Sequence, residues 1–183
     1  VKFAKNGSTV TSAATKLARA YTGKKYIARC REHSFFSYDD WFIGDTVMNA
    51  GIPKEIQELT LQFSFNDTAS VKNLFEQYKG EIAALIMEPS DSEEPVNNFL
   101  QEVRKLRTEY GVVYILDEMI TGFRWDIQGA SKYYNVKPDL VTYGKGMANG
   151  FSVAALGGKR DIMELGGLIP GKERVFLIST THG

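Results

Sequence analysis

The sequence contains almost no cysteine, and its charges cancel. Among 183 residues there is one cysteine, Cys30, so no internal disulfide can form, which favours a reducing compartment and a cytoplasmic location. Lysine plus arginine number 22, as do aspartate plus glutamate, so the formal net charge is zero. Nucleic-acid-binding and anionic-membrane-binding surfaces are usually strongly basic. We therefore expect no nucleic-acid partner.

Long apolar runs, paired histidines and phosphate-binding glycine loops are also lacking. No apolar run approaches the roughly 20 residues of a membrane span, and no signal peptide opens the sequence, so no membrane association is expected. The two histidines, His33 and His182, lack the paired spacing of a zinc site, and no metal centre is expected. Neither GxGxxG nor GxxxxGK[ST] is present, which argues against a nucleotide-binding domain.

The composition is that of an ordinary globular domain. Hydrophobic residues make up 43% of the chain and charged residues 24%, and this length is enough to bury one sizeable core. The sequence begins inside an apparent strand at Val1 and ends shortly after the apolar run 175–178. These ends predict a piece of a larger protein, since domains usually end in polar, frayed residues.

Short apolar runs alternate with segments of helical periodicity. Strands are predicted at 1–4, 26–30, 59–63, 82–87, 112–116 and 139–143, and helices at 10–21, 69–78 and 95–110. Gly23 is the predicted C-cap of the first helix, Pro95 the predicted start of the third, and 45–58 is expected to be irregular. This alternation predicts an α/β fold with a mostly parallel sheet and helices on both faces.

Three predicted strands end in an ionisable residue. Glu88, Asp117 and Lys145 each follow an apolar run. The carboxyl ends of parallel strands converge on one crevice, where ligands bind. A single charge there is most simply a solvent-facing strand end, but three together favour a site. Asp117 and Lys145 therefore predict a cofactor held at two points.

Two further segments each admit two interpretations from their residues alone. Asn6, Gly7 and Ser8 stand between a strand and a helix, where free backbone N–H groups can bind an anion. Alternatively, Ser8 or Thr9 is simply the N-cap of the helix. The aromatic-rich segment 31–42 is equally compatible with a binding wall and with a small satellite core.

Residues 116–124, Leu-Asp-Glu-Met-Ile-Thr-Gly-Phe-Arg, resemble the class-III pyridoxal-phosphate (PLP) aminotransferases, in the branch near glutamate-1-semialdehyde aminomutase. Matching segments follow in family order at 14–24, 40–44, 88–89, 137–140 and 143–146. The resemblance implies the large domain of a fold-type I PLP-dependent transferase. Residues 1–183 would then be part of that domain, without the N-terminal segment and the C-terminal small domain of the family.

The resemblance also implies residue roles. Lys145 is the expected Schiff-base lysine, and Asp117 the expected partner of the pyridine nitrogen. Met119 is expected to pack on one ring face and the Asn6–Ser8 turn to bind the phosphate. Thr180 is expected to reach the cofactor phosphate of a neighbouring subunit, which implies a homodimer.

One departure from the family concerns the ring-stacking aromatic residue. Glu32 stands where the family carries that residue. His33, Phe35 and Phe36 are the nearby substitutes, and His33 is included among the expected cofactor-binding residues.

The expected activity is PLP-dependent transfer of an amino group between a small-molecule amino donor and a carbonyl acceptor. The alternatives are an aminomutase, which shifts the amino group within one substrate, and a non-catalytic α/β remnant of the same fold. We expect this chain alone to bind cofactor weakly, with little or no turnover, because part of the site would lie in the other segments.

Overall fold

The computed structural model describes residues 1–167 and 174–177. In this part of the chain, seven strands form one sheet: β1 (Lys2–Ala4), β2 (Tyr26–Cys30), β3 (Thr60–Phe63), β4 (Ile82–Met87), β5 (Val113–Glu118), β6 (Leu140–Tyr143) and β7 (Ala154–Gly158). The helices are α1 (Gly7–Thr22), α2 (Asp40–Ile43), α3 (Lys54–Gln57), α4 (Thr68–Gln77), α5 (Phe99–Tyr110), α6 (Ala130–Tyr133), α7 (Lys145–Ala148), α8 (Arg160–Met163) and a 3₁₀ turn at Glu164–Gly166. None of the described helices is long and apolar enough to cross a membrane.

The strand order across the sheet is β1-β7-β6-β5-β4-β2-β3. The five strands from β6 to β3 are mutually parallel, whereas β7 runs antiparallel to both of its neighbours. The predicted mostly parallel sheet is confirmed. Its carboxyl edge brings together the ends of β4, β5 and β6, from which Glu88, Asp117 and Lys145 emerge.

The two faces of the sheet are covered by different helices. Successive residues of a strand point to opposite faces, and in β5 Ile115 packs in the cluster that contains α1, while Leu116 packs in the cluster that contains α4 and α5. The central strands β4 and β5 are buried along their whole length, as expected of strands covered on both faces. The predicted helices on both faces are confirmed.

The start of α1 differs from the prediction. The Asn6 side chain is the cap: its Oδ1 accepts from the Thr9 N–H at 2.9 Å and from the Thr9 hydroxyl at 3.0 Å. The N-cap interpretation of Ser8 or Thr9 is therefore wrong, because both residues already lie inside the first turn. The predicted C-cap is confirmed, with Gly23 in the left-handed region at φ 67°.

Other elements also differ from the sequence predictions, and the short helices α2, α6, α7 and α8 were not predicted. Helix α5 begins at Phe99 rather than Pro95, because Asn97 and Asn98 adopt left-handed conformations (φ 52° and 56°) that a right-handed helix cannot include. The segment 45–58 contains α3, which directly follows Pro53. The strand β7 was not predicted at all.

Candidate functional site

A cleft of about 440 Å³ opens at the carboxyl edge of the sheet, beside the N-terminus of α1. Among its lining residues are six of the eight predicted site residues: Asn6, Gly7, Ser8, Asp117, Met119 and Lys145. Thr180 lies outside the described residues. His33 is buried and is not among the residues that line the cleft. The structure thus brings most of the predicted set to one place.

Asp117 lies almost at the end of β5, with 2% of the residue exposed. Its Oδ1 accepts two hydrogen bonds of 3.0 Å, one from the Met119 N–H and one from the Thr142 hydroxyl. Burial raises the pKa of Asp117 from 3.8 to about 6, although these two donors oppose the rise. The two hydrogen bonds stabilise the ionised form of Asp117 only in part, and a positively charged group in the cleft would stabilise it further.

Met119 forms part of the cleft wall between two close backbone segments. A Cβ atom on Gly7 would come within 3.0 Å of its Sδ, and a Cβ on Gly144 within 2.5 Å. A Cβ on Gly144 would therefore force the Met119 side chain to move, and a Cβ on Gly7 would require a smaller displacement. Glycine at both positions lets the backbones of α1 and of the β6–α7 turn approach the same thioether, which adapts well to irregular space.

Lys145 is the first residue of α7 and is exposed at the cleft. Its φ of 23° lies outside the conformations that a residue with a Cβ normally adopts. Such outliers persist only where the surrounding structure imposes them, and they concentrate at functional sites. The strained backbone is a reason, independent of the residue type, to regard Lys145 as functional.

The N-terminus of α1 provides backbone N–H groups at the cleft. In any helix the first N–H groups have no acceptor within the helix. Asn6 satisfies that of Thr9, and no acceptor among residues 1–167 and 174–177 is found for those of Gly7 and Ser8, which are left for an acceptor from outside the helix. Because the first turn of this 16-residue helix carries no acidic side chain, the helix dipole there favours an anion.

The segment after β2 separates into buried and exposed side chains. The Glu32 carboxylate accepts from the Phe65 N–H at 2.9 Å and from the Cys30 thiol at 3.3 Å, which ties it to the sheet. His33 packs 4.9 Å from Phe65, ring centroid to ring centroid. Phe35, by contrast, is 54% exposed and lines the cleft. Both interpretations of this segment therefore apply, each to different residues.

His33 is held in its neutral form. Burial lowers the pKa of His33 to about 4. Its Nδ1 accepts from the Glu88 N–H at 3.0 Å, so the ring proton resides on Nε2. Its part in cofactor binding stays a prediction, and its observed contact is to the backbone that positions Glu88.

Glu88, directly after β4, also lies at the cleft and is strongly buried. Only 5% of the residue is exposed. Burial raises the pKa of Glu88 to about 8, the negative charges of Asp117 and Asp91 add to the rise, and the positive charge of Lys145 opposes it. The sequence singled out Glu88 as a strand-end charge, but its protonated state depends on neighbours that no local pattern reveals.

The raised pKa of Glu88 makes the ligand-free protein less stable as pH rises. The unfolded state releases this proton near pH 4.5, whereas the folded state holds it until about pH 8, so the stabilisation present at low pH is lost across that interval. We expect Glu88→Gln to lose less free energy of unfolding than the natural protein between pH 5 and pH 8, by about 1 kcal/mol or more. Urea unfolding at both pH values measures this, and identical pH dependence in the two proteins would contradict it.

Glu118, the residue after Asp117, holds the segment that follows β5 in place. It is fully buried and accepts from the N–H groups of Ala130 (2.6 Å) and Ser131 (2.9 Å) and from the Thr121 hydroxyl (3.1 Å). These bonds fasten the start of α6 to the end of β5, next to Asp117. Glu118 is therefore a structural anchor, although it belongs to the motif that carries the family resemblance.

Substitution of Gly129 tests whether the hydrogen bonds to Glu118 stabilise the fold. A Cβ there would collide with the Glu118 carboxylate, and φ is 87°. Gly51 provides a matched control, since its φ is 88° but nothing lies within 4 Å of a Cβ. We expect Gly51→Ala to cost about 1 kcal/mol of unfolding free energy and Gly129→Ala about 3 kcal/mol, because the second change adds lost buried hydrogen bonds to the strain. Equal losses in urea unfolding would contradict the anchoring role.

Comparison with known sequences gives a consistent result. Residues 1–172 match the family described as class-III aminotransferase. A glutamate-1-semialdehyde 2,1-aminomutase from Lachnoclostridium phytofermentans is 40% identical over 178 residues, which cover 90% of this chain and 42% of that protein. A 3-aminobutyryl-CoA aminotransferase from Cloacimonas acidaminovorans is 37% identical, with 96% of this chain and 41% of that protein covered.

Solved structures agree with the sequences. An omega-transaminase from Sphaerobacter thermophilus superposes with a TM-score of 0.87 at 29% identity, covering 98% of this chain and 45% of that one. The PLP internal aldimine form of the Sphingopyxis sp. MTA144 FumI protein gives a TM-score of 0.81 at 31% identity, covering 89% of this chain and 40% of that one. The chain thus spans less than half the length of these relatives. It belongs to the class-III aminotransferase family.

Proposed function

We propose that this chain forms the cofactor-binding part of an enzyme that transfers an amino group from an amino donor to a carbonyl acceptor with PLP. The observation that carries the proposal is the convergence of Asp117, Lys145 and the N-terminus of α1 on one cleft. A carboxylate, an amine and a helix N-terminus complement the ring nitrogen, the carbonyl carbon and the phosphate of PLP. The PLP form of the related FumI protein supports the same cofactor.

The residues present fit this cofactor. A cleft of about 440 Å³ is within the range of small-molecule sites. The hydrogen bonds that the described residues donate to the Asp117 carboxylate end on Oδ1, so Oδ2 is available to a donor in the cleft. The free N–H groups of Gly7 and Ser8 would hold the phosphate, with Lys5 nearby to add positive charge.

Asp117 sets the charge of the site. When bound, PLP supplies a carbonyl carbon that exchanges amino groups and a ring that accepts the electrons of the substrate bond being broken. Asp117 would lie against the ring nitrogen, favour its cationic form and so favour that electron uptake. The opposite charge would in turn lower the pKa of Asp117 from the value of about 6 that burial imposes.

Lys145 has two roles in this proposal. Its Nζ would hold the cofactor covalently. The same amine, once free, would be the base that takes a proton from the substrate carbon and returns it during transfer. Phe35, exposed on the cleft wall, would cover one side of the ring in place of the family aromatic.

An aminomutase is the second candidate, because the relative with 40% identity carries that name. It would use the same groups on a single substrate that bears both the amine and the carbonyl. The cofactor-binding residues described here serve both reactions, so substrate choice must depend on other groups.

We further propose that residues 1–183 are part of a PLP-binding large domain, and that the protein is a cytoplasmic homodimer. The share of the relatives' length that the chain covers, 42% and 41%, supports the first proposal. The single cysteine, which is free and buried, is compatible with a reducing compartment.

The experiment is a transfer assay on the full-length protein with PLP, a panel of amino donors and a panel of keto acceptors. We expect the absorption band of PLP to shift when the protein binds it, and one mole of aminated acceptor to form for each mole of donor consumed. An isomeric product without any acceptor would identify the aminomutase instead. A protein with no absorbance change and no product from any substrate would be the non-catalytic remnant, and the proposal would be rejected.

A further inference from the structure

Glu88 is left without a role once Asp117, Lys145 and α1 are assigned. Glu88 is among the residues that line the cleft, and its Oε2 is buried without a hydrogen-bond partner among the described residues. Buried polar atoms without partners are rare because each costs free energy. Because Glu88 is among the residues that line the cleft, we take a ligand bound in the cleft as the source of the missing partner.

Glu88 and Asp117 have opposite surroundings. Met87 pairs with Leu116 across β4 and β5, so Glu88, directly after β4, lies beside Asp117, near the end of β5. Donated hydrogen bonds stabilise the Asp117 carboxylate, whereas Glu88 Oε2 receives none. Two adjacent buried carboxyls do not both ionise readily, and the proton belongs on the one without donors.

The charged groups around Glu88 agree with this assignment. Asp117 on β5 and Asp91 in the loop after β4 both favour its neutral form, and Lys145 after β6 is the opposing charge. His33, from the segment after β2, is neutral, and its hydrogen bond to Glu88 is made with the backbone N–H rather than with the carboxyl. With a pKa of about 8, Glu88 is a carboxylic acid at neutral pH and has one O–H to donate.

The sheet order indicates which atom accepts this hydrogen bond. Strand β1, which leads into α1, lies on the β6 side of β5, whereas β4 lies on the other side. In PLP the carbons that bear the phosphate arm and the hydroxyl flank the carbonyl-bearing carbon on opposite sides. With the phosphate at α1 and the ring nitrogen at Asp117, the hydroxyl-bearing side of the ring would be turned towards β4. Its phenolic oxygen is also the one polar group of the cofactor not yet assigned.

We propose that Glu88 is a cofactor-binding residue that donates a hydrogen bond from its neutral carboxyl to the phenolic oxygen of PLP, an inference that rests on the proposed function. This hydrogen bond fixes the rotation of the ring in its plane. It also leaves one carboxylate charge, that of Asp117, to balance the cationic ring nitrogen.

The test compares PLP with 3-deoxypyridoxal 5'-phosphate, which lacks the phenolic hydroxyl. In the full-length protein, Glu88→Met removes the donor at similar side-chain length, and Glu88→Gln keeps a neutral donor. We expect Glu88→Met to raise the Kd for PLP about tenfold and to leave the Kd for the 3-deoxy analogue unchanged. Glu88→Gln should keep both Kd values near those of the natural protein. Spectroscopic titration measures the Kd of each of the two ligands for each of the three proteins.

Equal weakening of both ligands in Glu88→Met, or no weakening of either, would overturn the proposal. If Glu88→Met fails to fold, the natural protein and Glu88→Gln decide by infrared spectroscopy. The carboxylic-acid stretching band that Glu88→Gln lacks should shift when PLP is added but not when the analogue is added, and an absent or unresponsive band would refute the proposal. Failure of the natural protein to bind PLP at all would instead refute the proposed function.

Discussion

Replacing Lys145 by alanine is expected to lower kcat/KM for amino-group transfer about 10³-fold or more, because one change removes both the covalent attachment and the base. The N-terminus of α1 and Asp117 remain, so the variant should still take up PLP from solution. Without the amine, however, the cofactor should leave on dialysis, while the natural protein keeps it. Steady-state kinetics and absorbance after dialysis measure the two effects.

Lys54 provides the matched control for this variant. It also begins a four-residue helix, α3, and its side chain is 82% exposed and pairs with Glu58 in water. Lys54→Ala should keep full activity and full cofactor retention. Retention of more than about a tenth of the natural kcat/KM by Lys145→Ala would show that another group does the proton transfer, since a positioned base contributes at least about 10²-fold.

Replacing Asp117 by asparagine is expected to lower kcat about 10²-fold or more while leaving the fold intact. The amide oxygen can still accept from Met119 and Thr142, so the local hydrogen bonds persist, but the charge opposite the ring nitrogen is gone. At pH 7, above its folded pKa of about 6, the buried Asp117 charge opposes folding of the ligand-free protein. The asparagine variant should therefore be as stable as the natural protein, or more so.

The control for this change is Asp67→Asn. Asp67 caps α4 by accepting from the Ser70 N–H at 2.9 Å, and asparagine caps equally well. It should change neither kcat nor the free energy of unfolding. A large loss of stability in Asp117→Asn would mean that its loss of activity reports unfolding, and that the charge argument is wrong.

Most of the sheet could be predicted because its central strands are dense apolar runs. The strand prediction at 82–87 coincides with β4. Strand β7 was missed because Ala154–Gly158 is built from alanine, leucine and glycine, which have little intrinsic strand preference. It is a strand because it fills the space between β1 and β6, and that tertiary pairing is absent from any local window. The start of α5 was misplaced for a local reason, the two left-handed asparagines.

The site could be predicted as far as topology determines it. Charges at the ends of neighbouring parallel strands must converge, which is why Asp117 and Lys145 were found together. The protonation state, orientation and backbone conformation of each group could not be predicted, because they depend on how the surrounding residues pack. Glu88 is neutral since it stands buried beside Asp117, and Glu32 is turned to the sheet by the Phe65 N–H. The strained φ of Lys145 likewise follows from the turn after β6 rather than from its own residue type.

The most direct test of the central claim is to locate the cofactor on the chain. The full-length protein is incubated with PLP, reduced with borohydride, digested and examined by peptide mass spectrometry. We predict a pyridoxyl group on Lys145 and none on Lys5, the other lysine that lines the cleft. A label on Lys5, or no label on either lysine, would contradict the account.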